Sequence, residues 1–248
     1  MAVNWSSAES SLMGGAWIGS QASEHIYTLA DSIGIRWAGT DAERRAAEYI
    51  QSRFDEYGLV DSAIEEFDLK TWESSSSSIF IVGEEDRVID VRPSLFCPAV
   101  SVTGPLVDVG FGMPHEIEPL KSALAGSVAL ISSSTEPFSV PESVTARLER
   151  LAGLGVLACI SPNEKGGRFT SHIFSGERLD ENPYATPLPL VCTSRENGAL
   201  LARRASLGVS VSVQVDSERI AATSRNVKEY RAWKPWQYVT GYTETKKQ

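Results

Sequence analysis

Metal or general-base chemistry would most readily come from histidine, and this chain of 248 residues has three: His25, His115 and His172. A zinc ion that activates water needs about three histidine, carboxylate or thiolate ligands converging on one point. None of the three histidines has a partner at ligand spacing such as HxxxH or HxD, so each reads as a surface or packing residue. The three cysteines, Cys97, Cys159 and Cys192, lie in apolar, strand-like contexts. An odd number without CxxC spacing fits buried, reduced thiols better than disulfides or metal ligands. Arg36 is the one residue with a substrate-binding reading, because a guanidinium can clamp a carboxylate. The plainer reading is that it braces the turn before the next helix. Gly153 to Ala158 matches a loose dinucleotide fingerprint, but a helix precedes it and a strand follows, the reverse of what phosphate binding requires. No GxSxG elbow and no P-loop occur. Catalytic and metal-ligating residues are therefore both expected to be none.

Composition bounds the partners. A 42% hydrophobic, 22% charged chain of this length buries a real core, as one large domain or two small ones. The net charge of -9 argues against nucleic acid and against anionic membranes. No run approaches the roughly 18 apolar residues of a membrane span. Met1 to Ser20 has no basic start and no continuous apolar stretch, so it does not read as a signal peptide; a cytoplasmic location is the default expectation.

The elements that would position these groups alternate along the chain. Ala22, Ile26, Leu29, Ala30 and Ile33 recur at helical spacing before Gly34. A second helix should start at Thr40, with Glu43 closing a capping box and Gly58 as its stop. A strand is expected within Val60 to Leu69. The serine run Ser74 to Ser78 then reads as a polar loop before a strand over Ile79 to Val82, and Glu84, Glu85 and Asp86 read as a solvated turn. Further strands are expected at Pro105 to Val109, Val128 to Ile131, Val156 to Ile160 and Leu188 to Cys192. A helical patch should end near Leu124, and a helix should run from Pro141 to Ala152 with proline at its start. Thr193 and Glu196 suggest a second capping box for a helix ending near Gly208. Val209, Val211, Val213 and Val215 alternate with polar residues, a strand with one buried face. Strand-helix alternation implies an α/β fold.

The segment from Gly104 to Val215 resembles a protease-associated domain. It has an apolar segment before Gly126, the strand from Val128, a helix, Gly153 before a second apolar strand, and the proline-marked strand Leu188-Pro189-Leu190-Val191. The flanks resemble zinc-dependent exopeptidases of the aminopeptidase Y and glutamate carboxypeptidase type, which carry this domain as an insert. The matching residues are Gly34, Arg36, Gly39 and Thr40, then Gly58, Leu59 and Val60, and after the insert Thr223, Ser224, Asn226 and Val227.

The resemblance implies an α/β fold, with a protease-associated domain inserted into a truncated α/β zinc-exopeptidase domain. It implies an N-terminal extension at 1–21, a first peptidase-like part at 22–93, the insert at 94–219 and the start of a second peptidase part at 220–248. Where the family has the first histidine and bridging aspartate of its two-zinc site, this chain has Tyr242 and Glu244. Tyrosine is a poor substitute for a neutral imidazole. The expectation is a non-catalytic or truncated member of the family, with no cofactor in this chain although zinc belongs to the intact family. The alternative is a stand-alone protease-associated module. Either way the expected partner is a peptide or protein.

Overall fold

The computed structural model describes residues 5–59, 61–170 and 187–229. The chain divides into two compact units: Trp72–Ile220, and Met1–Thr71 together with Ala221–Gln248. Its fold is mixed α/β, with an eight-stranded sheet. Among the described residues no helix is long and apolar enough to cross a membrane.

In the unit Trp72–Ile220 the sheet is built from β1 (Ser62–Ile81), β2 (Glu84–Ile89), β3 (Val91–Pro93), β4 (Val100–Asp108), β5 (Val128–Leu130), β6 (Ala158–Pro162), β7 (Leu190–Thr193) and β8 (Ser210–Glu229). They lie in the order β2-β1-β8-β4-β5-β6-β7-β3. The succession β4 to β7 is parallel, with Leu106 opposite Val128, Val128 opposite Ala158 and Ile160 opposite Val191. Parallel strands covered on both faces read as continuous apolar runs, and the side chains here part accordingly. Val128, Leu130, Ala158, Ile160 and Val191 join one core with Val211, Val213 and Val215. Ala129, Ile131, Cys159 and Leu190 join a second. Leu201 of helix α7 (Arg195–Ala205) closes the first core, and Leu148 and Leu151 of α6 (Val144–Ala152) close the second.

Two of the expected helices, α6 and α7, form but start later than their sequence signals imply. Helix α6 spans Val144–Ala152, because the Ser143 hydroxyl accepts from the Ala146 N–H at 3.2 Å; Pro141 lies outside, in the extended lead-in. Helix α7 spans Arg195–Ala205 and is capped by Ser194, not Thr193. Thr193 stays in β7, where its hydroxyl donates to the Asp90 carbonyl at 2.8 Å, while Glu196 accepts from the N–H groups of Gly167 and Arg168. Two short helices, α4 (Pro114–Ile117) and α5 (Lys121–Leu124), flank a 3-10 turn and supply the patch expected to end near Leu124.

The larger correction concerns β1. Its serine run is strand, not loop, and the strand is continuous over 20 residues. Its last residues, Ile79 to Ile81, pair with β2, and β8 is its neighbour on the other side. The hydroxyls find partners too: Ser74 donates to the Asp216 carbonyl, Ser75 to the Asp216 carboxylate at 2.7 Å and Ser77 to the Val91 carbonyl. The turn expected at Glu84 to Asp86 falls earlier, at Val82 and Gly83.

The other unit holds α1 (Trp5–Ile18), α2 (Ala22–Ile26), which widens into a π-helical turn at Tyr27–Ile33, and α3 (Asp41–Glu56), with the outer parts of β1 and β8. Helix α3 has the expected start and stop: Thr40 accepts from the Glu43 N–H, and the chain leaves at Gly58 with φ of 71°. Ala46 and Ala47 are its buried residues.

Candidate functional site

The turn at residues 34–40 and the segment at 223–227 meet in the smaller unit, and a single carboxylate joins them. Glu43 Oε1 accepts from the Ser224 hydroxyl at 2.5 Å and from the Arg225 N–H at 2.8 Å. Its Oε2 accepts from the Gly39 N–H at 3.3 Å and lies 3.6 Å from the Arg225 guanidinium. Glu43 thus closes the capping arrangement at the head of α3 and holds β8 against that helix. Burial works against its charge, but hydrogen bonds from Ser224, Arg225 and Gly39 and the Arg225 charge prevail, so the carboxyl titrates below an ordinary glutamate. Arg225 also donates to Glu66 at 3.0 Å, and Lys228 pairs with Glu65. Gly39 is required on two counts. Its φ is +84°, and a Cβ there would stand 2.6 Å from that of Ala222.

Arg36 turns inward on its own loop, its Nη1 donating to the carbonyls of Leu29 and Gly34, the latter at 2.7 Å. Those contacts brace the exit of the π-helical turn. His25 lies between two phenols, with Nδ1 at 2.7 Å from Tyr49 Oη and Nε2 at 2.6 Å from Tyr57 Oη. His115 is exposed and 3.1 Å from Glu136. His172, Tyr242 and Glu244 lie outside the described residues. Cys97, Cys159 and Cys192 are all buried and free of disulfides. Among the described residues no three histidine, cysteine, aspartate or glutamate side chains converge as a metal site. A catalytic zinc takes three such ligands at one point, and the described residues alone bring no such set together.

No family model matches this chain. Solved structures do resemble it. The aminopeptidase from Aneurinibacillus sp. strain AM-1 has a TM-score of 0.58 at 23% identity, covering 86% of this chain and 50% of its own. The zinc aminopeptidase of Bacillus subtilis gives 0.63 at 21%, covering 82% and 44%. A peptidase M28 precursor from Shewanella amazonensis gives 0.68 at 18%, covering 89% and 52%. The chain has a zinc-exopeptidase-like fold. It spans about half the length of these proteins.

Sequence reasoning singled out Glu43 and Ser224 separately and missed their bond, because nothing local links positions 181 residues apart. It also missed a cavity of about 130 Å³ in the larger unit, lined by Ser133, Ser161, Asn163, Glu164, Lys165 and Cys192 among others. One signal was available. Ser133 and Ser161 follow or end apolar strands, at the carboxyl ends of a parallel sheet where α/β proteins place ligands.

Proposed function

We propose that this chain is a non-catalytic protein of zinc-exopeptidase ancestry, in which residues 94–219 form a protease-associated insert that binds a peptide or protein. The observation that carries the ancestry is the Glu43 junction. It brings together the turn-and-helix start at Gly39, Thr40 and Glu43 and the segment Thr223 to Val227, the two stretches whose sequence resembles the exopeptidase flanks. The likeness of the fold to zinc aminopeptidases, over 86% and 82% of this chain, supports the same reading. The absence of catalysis is argued from the sequence: three histidines without ligand spacing, and Tyr242 and Glu244 where a histidine and an aspartate belong. Arg36, occupied by its own loop carbonyls, acts in this reading as a brace.

The test is quantitative. After dialysis, elemental analysis of the purified 248-residue chain should find zinc well below one equivalent. A panel of short chromogenic peptides should show no chelator-sensitive release. Stoichiometric zinc together with chelator-sensitive turnover overturns the proposal.

A further inference from the structure

Beside the cavity at the carboxyl ends of β5, β6 and β7 lies a polar group with no partner among the described residues. Ser161 is only 2% exposed and lines the cavity, yet its hydroxyl has no hydrogen-bond partner among the described residues. A buried hydroxyl without a partner costs about 1–3 kcal/mol, so a native protein keeps one where something else satisfies it. The volume of about 130 Å³ holds several waters, or a carboxylate with the carbons that carry it.

The charges around it favour an anion. Lys165, on the exposed rim, makes no ion pair among the described residues. Behind the Ser133 wall lies Arg147, 2% exposed, whose guanidinium donates to the carbonyls of Phe111, Ser132, Ser133 and Ser134 and to no carboxylate. The one acid in the lining, Glu164, already accepts a hydrogen bond from the Ser134 hydroxyl. Glu142 and Glu116 act on Arg147, so the cation that bears on the cavity is Lys165, unpaired among the described residues, set against Glu164, which the Ser134 hydroxyl already engages.

The loops beside the cavity favour a peptide over a free ion. The loop following Ser133 presents Phe138 fully exposed at a positive φ of 64°, with Val140 exposed beside it in sequence. The loop following Lys165 presents Phe169, 53% exposed. Exposed aromatic side chains on the chain segments that leave two of the lining residues suit a peptide with apolar residues beside a charged anchor.

We infer that this cavity receives the carboxylate group of a peptide, through Ser161 and Lys165. The inference rests on the peptide-binding reading of the larger unit and names its site. The carboxylate comes either from the peptide C-terminus or from an acidic side chain.

The test is an amide-resolved NMR titration of the full 248-residue chain with three acetylated tetrapeptides of apolar residues. One ends in a free carboxylate, one is its C-terminal amide, and one is an amide carrying a single internal glutamate. The expected result is saturable shifts at Ser133, Ser161 and Asn163 with at least one carboxylate-bearing peptide, weakened about tenfold or more with the uncharged amide. Which of the two carboxylate peptides binds identifies the source. Lys165→Glu should weaken that binding about tenfold or more while Lys165→Arg retains most of it, and Ser161→Met should abolish it by filling the cavity. Lys165 is exposed, so its variants fold even if Ser161→Met does not. Equal binding of all three peptides overturns the inference. So do saturable shifts confined to other surfaces, which leave the peptide-binding module standing without this site. Absence of any peptide binding overturns both.

Discussion

Glu43 and Ser224 are 181 residues apart and joined by a 2.5 Å hydrogen bond, with the Arg225 N–H on the same carboxylate oxygen at 2.8 Å. Glu43→Ala leaves three donors without their acceptor and should destabilise the smaller unit by about 2–3 kcal/mol, Glu43→Gln by about 1–2. Hydrogen exchange at the 224 and 225 amides should rise in both variants relative to amides of β5 and β6, whose rates should not change.

The same carboxylate makes the smaller unit acid-sensitive. Glu43 titrates below an ordinary glutamate, so its contribution is whole at neutral pH and is lost as pH falls below the ordinary glutamate range. Exchange at Arg225 should accelerate on acidification in the native chain. In Glu43→Gln, which has no charge to lose, that extra step should vanish.

Helix α7 should respond to Ser194 as its cap. Ser194→Ala should cost about 1 kcal/mol and deprotect the Asn197 amide. Thr193→Val should also destabilise, by stranding the Asp90 carbonyl, but leave the Asn197 amide protected. Amide exchange of the two variants separates the roles where melting temperature alone would not.

The cysteines should be silent in the native state. Burial pushes the Cys97 thiol up to about 11 and the Cys159 thiol to about 12, so at pH 8 about one Cys97 in a thousand is thiolate. An aromatic disulfide reagent should react with all three cysteines in denaturant, and in its absence only at the rate of unfolding.

Gly104 allows close packing of β4 against the chain entering β5. A Cβ there would stand 2.3 Å from the Gly126 carbonyl oxygen and 3.3 Å from Ser127 Cα, both backbone atoms. Gly104→Ala should cost about 2 kcal/mol or more by chemical denaturation. Gly14→Ala in helix α1, where a Cβ meets nothing within 4 Å, should be neutral or stabilising.

By itself the sequence determined the features whose causes are local. The Thr40–Glu43 start of α3, the stops at Gly58 and Gly208, the alternation from Val209 to Val215 and the apolar runs at Val128, Val156 and Leu188 depend on residues within a few positions of one another. The α/β class followed from their order. The starts of α6 and α7 slipped by one to three residues, because adjacent residues such as Thr193 and Ser194 both suit a cap. Which of them caps was settled by the pairing of Thr193 within the sheet. Tertiary structure alone decided that Ser74 to Ser78 is strand, since β1 lies beside β8 in the sheet and Ser74, Ser75 and Ser77 find partners in Asp216 and Val91. It alone made Glu43 the partner of Ser224, occupied Arg36 with its own loop, and left the Ser161 hydroxyl without a partner among the described residues. In each case the deciding neighbours are distant in the chain or are backbone atoms of the same fold, and neither leaves a trace in residue spacing.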